Sequence, residues 1–199
     1  MNKGALVKRS VTVSVVILVG CLSLAAVVNA AARRCGGRAA TFVGTSGPDT
    51  ITGTAGSDVI VARGDNDEID GGGGHDRICG GRGSDTILGD QGIDRMWGGP
   101  GADTIEGGNG GDLLRGGGGN DRLSGQAGYD DIYGGTGNDR LEGGDLSDEM
   151  YGNMGDDVVD AVDGQVNDLV NGGRHRSVGD KCLFDQIEAE RDRVDHCEL

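Results

Sequence analysis

Between residues 44 and 161 the chain places one dependable aliphatic residue in every nine and fills the other positions mostly with glycine and polar residues. The aliphatic series is Ile51, Ile60, Ile69, Ile78, Ile87, Met96, Ile105, Leu114, Leu123, Ile132, Leu141, Met150 and Val159. A fixed short period of this kind marks a solenoid. Two residues before each aliphatic stands an aspartate: Asp49, Asp58, Asp67, Asp76, Asp85, Asp94, Asp103, Asp112, Asp121, Asp130, Asp139, Asp148 and Asp157. Each repeat reads as a six-residue turn, GGxGxD, then a three-residue strand whose middle residue points inward. Two repeats close a coil of eighteen residues. The expected fold is therefore all-β, with two parallel sheets and turns along both edges, in a rod about 30 Å long at one strand spacing per coil.

The flanks differ from the repeats. Residues 1–30 have a basic start, an apolar run over 11–28 and small residues at the end, which predicts a cleaved signal peptide and a secreted protein. The run Leu18-Val19-Gly20-Cys21 also fits a lipobox with Cys21 as a lipid anchor, but the residues after it stay apolar. An uncleaved membrane anchor is the third option, since the run approaches spanning length. Residues 31–43 are expected to form an N-terminal cap and residues 162–199 a C-terminal cap, because a solenoid must cover its open ends. Of the cysteines left after the leader, Cys182 and Cys197 bracket a short segment outside the repeats and are expected to pair, which joins Cys35 to Cys79. Four cysteines allow three connectivities.

Composition makes folding difficult. Of 199 residues, 42 are glycine and 3% aromatic. Fully burying one aliphatic side chain is worth roughly 1.5–3 kcal/mol, against about 1–2 kcal/mol of backbone entropy for every residue ordered. The core alone cannot fold this chain. Net charge is −15, and −18 without the first thirty residues, which leaves 15 basic against 33 acidic residues. Such a chain repels itself unless it binds cations, and it is not expected to bind nucleic acid.

In this geometry Asp49, Asp67, Asp85, Asp103, Asp121, Asp139 and Asp157 share one edge, and the other six aspartates share the opposite edge. Carboxylates about 4–5 Å apart repel appreciably at any protein dielectric. A hard divalent cation between them resolves this. Calcium suits it best, because it accepts both carboxylates and backbone carbonyls in flexible geometry.

The pattern GGxGxDxUx, with U aliphatic, resembles the RTX, or haemolysin-type, calcium-binding repeat, in the manner of small secreted actinobacterial proteins of this class. The resemblance implies a parallel β-roll with calcium held between successive turns by the aspartates and by glycine carbonyls. Mapped onto this chain, those glycines are Gly72, Gly74, Gly81, Gly83, Gly99, Gly101, Gly108, Gly110, Gly117, Gly119, Gly135 and Gly137. Asp65 and Leu146 replace glycine two residues before Asp67 and Asp148. Of eleven inter-turn sites, eight avoid those two turns, so about eight calcium ions are expected.

Other chemistry has little support. His75, His175 and His196 lie in no metalloprotease-like motif, and Ser57, Ser84 and Ser124 occupy variable turn positions without a positioned base, so no enzyme is expected. Asx turns alone would explain single aspartates but not a facing ladder of them. Trp97, Tyr133 and Tyr151 follow the inward aliphatic and should point outward, which allows a cell-wall or polysaccharide contact and an alternative role as an adhesion or matrix module. The chain is expected to be a monomer that folds only when calcium binds.

Overall fold

The computed structural model of the chain describes residues 34–161, 168–173, 181–184 and 193–195. The leader expected over residues 1–30, with Cys21, lies outside them, as does Cys197. Strands Phe42–Val43, Val59–Gly64, Arg77–Arg82, Arg95–Pro100, Leu113–Gly118, Asp131–Thr136, Glu149–Met154, Leu169–Asn171 and Arg193–Asp195 stack in that order into a nine-stranded first sheet. Strands Thr50–Thr54, Glu68–Gly72, Thr86–Gln91, Thr104–Asn109, Arg122–Ala127, Arg140–Asp145, Val158–Ala161 and Lys181–Phe184 form an eight-stranded second sheet. Every pairing in both sheets is parallel, and through the repeats each residue faces its equivalent eighteen positions away, as Leu114 faces Met96 and Ile132. This is a parallel β-roll, the solenoid that the nine-residue period predicts.

The strands are longer than the pattern suggested. Strands span six residues in most repeats, for example Arg95–Pro100, with five of them paired between coils, and only three remain for the turn. The glycines after each aliphatic continue the ladder, since Gly117 pairs with both Gly99 and Gly135. A glycine backbone can leave the extended region at one residue and still hydrogen-bond at the next.

Alternation along each strand sends two positions per repeat inward. One is the aliphatic, fully buried in nearly every coil from Ile60 to Val159, with Ile51 at the N-terminal end only partly covered. The second lies two residues later and is glycine, or alanine at Ala62 and Ala161. The interior is thus a single file of aliphatics along each sheet.

Past Ala161 both sheets continue through short strands. Leu169–Asn171 pairs with Glu149–Met154 across a twenty-residue step, so two extra residues are absorbed outside the ladder. At the other end, strands Arg34–Cys35 and Arg38–Ala39 form an antiparallel hairpin. Cys35 is disulfide-bonded to Cys79 of the first sheet, with Cα atoms 5.7 Å apart, in the expected pairing. Cys182 is buried opposite Val159, and the partner expected for it, Cys197, is among the residues not described.

With one aliphatic per strand, each carries an unusual share of the burial. Leu114→Ala should cost about 2–5 kcal/mol in denaturant unfolding with calcium present. Leu88→Ala, on the outer face, should change stability by less than about 0.5 kcal/mol. Equal effects would mean that the file of inward side chains is not the core.

Candidate metal centre

Each aspartate closes a turn and is tied to both neighbouring coils. Its backbone carbonyl accepts from the amide that opens the next strand one coil on, as Arg122 donates to Asp103 at 2.8 Å. Its own amide donates to Oδ1 of the aspartate one coil on, at 2.7 to 2.9 Å throughout both edges. The two edges group the aspartates as the eighteen-residue coil predicts. The series also takes in Asp168, whose Oδ1 accepts from Asp148. Asp168 falls outside the nine-residue series because the register slips by two residues before it.

These carboxylates are interior groups. From Asp67 to Asp157 no ladder aspartate is more than 3% exposed. While Oδ1 is hydrogen-bonded, Oδ2 of Asp67, Asp76, Asp85, Asp94, Asp103, Asp112, Asp121, Asp130 and Asp139 is buried and accepts no hydrogen bond. Most such orphaned oxygens point at the Cα of the glycine five residues earlier. A Cβ added to Gly107 would lie 2.6 Å from Asp112 Oδ2 and 2.6 Å from the Gly125 carbonyl. At Gly134 the corresponding distances are 2.5 Å to Asp139 Oδ2 and 2.8 Å to the Gly152 carbonyl. Two acceptors therefore converge on one small space with no donor between them. Buried polar atoms are rarely left so, and the arrangement fits a cation that takes oxygen from both carboxylate and carbonyl.

The carbonyl beside the carboxylate comes from the first glycine of the turn one coil on, at Gly125, Gly134 and Gly152 among others. The glycines that the repeat resemblance implies are the second and fourth of the turn. Those twelve, including Gly72, Gly74, Gly108, Gly110, Gly119 and Gly137, all hold φ between +86° and +152°. The carbonyls of Gly81, Gly99 and Gly117 lie against the equivalent glycine of the following coil. The signal for the first glycine was present, since a glycine stands five residues before twelve of the thirteen aspartates.

The ladder is graded along its length. Thr45 and Thr54 replace the second glycine of the first two turns. Asp58 Oδ2 accepts from the Thr54 amide and hydroxyl, each at 2.8 Å, and Asp49 Oδ2 accepts from Thr45 in the same way. Hydroxyl and amide donors supply at these two aspartates what is missing in later coils. Besides Asp65 and Leu146, residues Arg63, Asp90, Gln126 and Asn153 also hold positive φ at turn positions that glycine fills elsewhere. Each costs on the order of 1 kcal/mol of strain. Among the described residues no three His, Cys, Asp or Glu side chains gather closely enough to hold a metal. Backbone carbonyls must therefore complete any site, which favours a hard ion over zinc or copper.

In several repeats the side chain before the aspartate ties coils together as well. Ser57, Ser84 and Asn66 each accept the amide of the matching residue one coil on, and His75 Nδ1 accepts from Ile93. Ser57 and Ser84 are thus coil-to-coil caps.

Burial dominates the titration of the ladder. It raises Asp94, Asp103, Asp130 and Asp139 to about 7, and Asp67 and Asp76 to about 6. Asp85, Asp112 and Asp121 move the same way. The amide bonded to Oδ1 opposes the shift, and the charge of neighbouring ladder aspartates adds to it, as Asp112 and Asp76 do at Asp94. A metal-free ladder at neutral pH thus holds its anions at a cost.

Comparison with known families places the same stretch. The RTX calcium-binding nonapeptide repeat (four copies) matches residues 43–78, 79–114, 97–132, 115–150 and 133–165. No curated protein matches the chain.

Two measurements check the site. Gly→Ala at a position that tolerates it usually stabilises by about 0.4–1 kcal/mol. Gly107→Ala, whose backbone lies outside the left-handed region, should instead destabilise the roll and lower the number of calcium ions bound. The second concerns acid. Carboxyls raised above their unfolded value of 3.8 stabilise the fold below about pH 4, and that contribution fades as pH rises through 6 to 7. Metal-free protein should hold more β structure by far-UV circular dichroism at pH 4 than at pH 7.5, whereas calcium affinity should fall as pH drops through the same window. Metal-free stability that rises with pH would contradict the assignment.

Proposed function

The chain belongs to the RTX calcium-binding nonapeptide repeat family, and from that premise we propose that it is a secreted calcium-binding β-roll protein whose folding is coupled to the metal. The observation that carries the proposal is the run of buried Oδ2 atoms facing glycine carbonyls with no hydrogen-bond donor. We assign the ions to the intervals between successive ladder aspartates. One edge would use Asp85, Asp103, Asp121, Asp139 and Asp157, the other Asp58, Asp76, Asp94, Asp112 and Asp130, which gives about eight sites. Asp49, Asp67 and Asp148 would contribute weaker ones.

When bound, calcium supplies positive charge where the carboxylates stand closest. The chain contributes acceptors held by parallel pairing, together with glycine turns narrow enough to exclude side chains. Carboxylates of an unfolded chain cannot pre-form such sites, so binding energy becomes folding energy. At free calcium about tenfold above Kd each site adds about 1.4 kcal/mol, and eight together add about 11 kcal/mol, on the order of a whole domain's stability. Calcium at about millimolar level outside cells is in the range that extracellular calcium modules use. The chain would remain loose until export and stiffen outside.

Within this reading residues 1–30 are a signal peptide, 31–43 and 162–199 are caps, and the protein has no enzymatic role of its own. Isothermal calorimetry with far-UV circular dichroism tests it. Metal-free protein at pH 7.5 should gain β signal cooperatively on titration and saturate near eight ions. Saturation at one or two ions would overturn it.

A further inference from the structure

The outer face of the first sheet differs in charge and chemistry from the rest of the rod. Its central column stacks Cys79, Trp97, Arg115, Tyr133 and Tyr151 on successive strands. The Tyr133 and Tyr151 rings are parallel to within 5° with centroids 5.0 Å apart, and the Arg115 guanidinium lies 5.1 Å from the Tyr133 centroid. The rings turn faces to each other, which leaves edges and hydroxyl groups for solvent. The N-terminal hairpin closes one end, where Gly36 packs against the Trp97 ring and the Arg77 guanidinium. The disulfide at Cys79 clamps it there.

Several arginines gather at the same end. Arg77 and Arg95 pair side by side on adjacent strands next to this column, and Arg38 reaches them from the hairpin. Burial and the charges of Arg38 and Arg95 together hold Arg77 below its usual value. Among the described residues the one ion pair is Arg140–Asp160 on the second sheet, so none of these arginines is neutralised by a carboxylate. Asp131 and Glu149, the acids beside the column, lie at its far end, and Glu149 accepts from the Tyr151 hydroxyl. The second sheet carries Glu68, Asp70, Asp90, Glu106 and Glu142. Among the described residues the acids are concentrated on the turns and on the second sheet, which also holds Arg122 and Arg140, and the first sheet presents a local cationic patch beside aromatic edges.

We propose that this face, centred on Arg77, Arg95, Trp97 and Arg115, docks a sulfated polysaccharide. Guanidinium forks match sulfate oxygens in paired hydrogen bonds, aromatic edges are the positive part of the ring, and the indole covers the apolar side of a sugar. Paired strands hold these groups about 4.8 Å apart along a rigid axis, a spacing suited to a linear polymer rather than a single ion. The inference rests on the calcium-stiffened roll proposed above for its rigid frame.

The test immobilises dextran sulfate and unmodified dextran and passes calcium-loaded full-length chain over both, with the far-UV spectrum recorded on the same sample. Binding to dextran sulfate but not dextran is expected. The double variant Arg95→Glu, Arg115→Glu should weaken it about tenfold or more, with Trp97→Ala weaker by a smaller factor and Arg122→Glu on the second sheet unchanged. A sample without β signal refutes the frame. A folded sample overturns the docking inference if it ignores dextran sulfate, binds dextran equally, loses as much through Arg122→Glu, or binds single-stranded oligothymidylate as tightly.

Discussion

A buried carboxylate beside another one strand spacing away is unfavourable as an anion, and this roll repeats that arrangement in every coil along both edges. The parallel ladder creates the arrangement, because pairing each residue with its equivalent stacks like on like. For the aliphatics the stacking yields a continuous core, and for the aspartates it yields repulsion. Hydrogen bonds from the neighbouring amide satisfy Oδ1 but leave Oδ2 facing a carbonyl, so protein donors meet only half the demand. A proton or a cation must meet the other half. At acid pH a proton serves, and near neutrality the oxygen donors fit calcium.

Glycine makes the same interaction possible from the other side. In twelve of the thirteen turns the first residue is glycine, which leaves the carboxylate the space a side chain would take, and most later glycines turn through positive φ to bring consecutive coils into contact. The high glycine content, an entropic handicap in a free chain, is thus the geometric condition for the sites. Where other residues intrude, the coil accepts strain at Arg63, Asp90, Gln126 and Asn153 because the ladder on both sides over-determines the backbone. The first two turns follow a different solution. Thr45 and Thr54 hydrogen-bond their aspartates directly, which suits the end of the rod that adjoins the hairpin and its disulfide.

Much of this was legible in the sequence because a strict period determines which residues stack. The nine-residue spacing gave the two edges, the single file of aliphatics and the thirteen members of the two ladders, and the position of Cys182 and Cys197 outside the repeats allowed the pairing of Cys35 with Cys79 to be anticipated. What it hid depends on backbone detail. Strand length was underestimated because glycine is a poor strand former in isolation, yet here it pairs between coils. The first glycine was passed over because nothing in one repeat distinguishes a glycine needed for φ from one needed for space. Asp168 was invisible because a two-residue insertion breaks the count while leaving the stack intact. The arginine and aromatic column came from residues that vary between repeats, which a search for periodicity discards.

The account stands on the claim that the ladder cannot persist near neutral pH without a bridging divalent ion. Small-angle scattering of the metal-stripped, disulfide-intact protein at pH 7.5 tests this most directly. The account predicts an expanded chain that contracts to a short rigid rod when calcium is restored. A compact rod in the metal-free sample would contradict it.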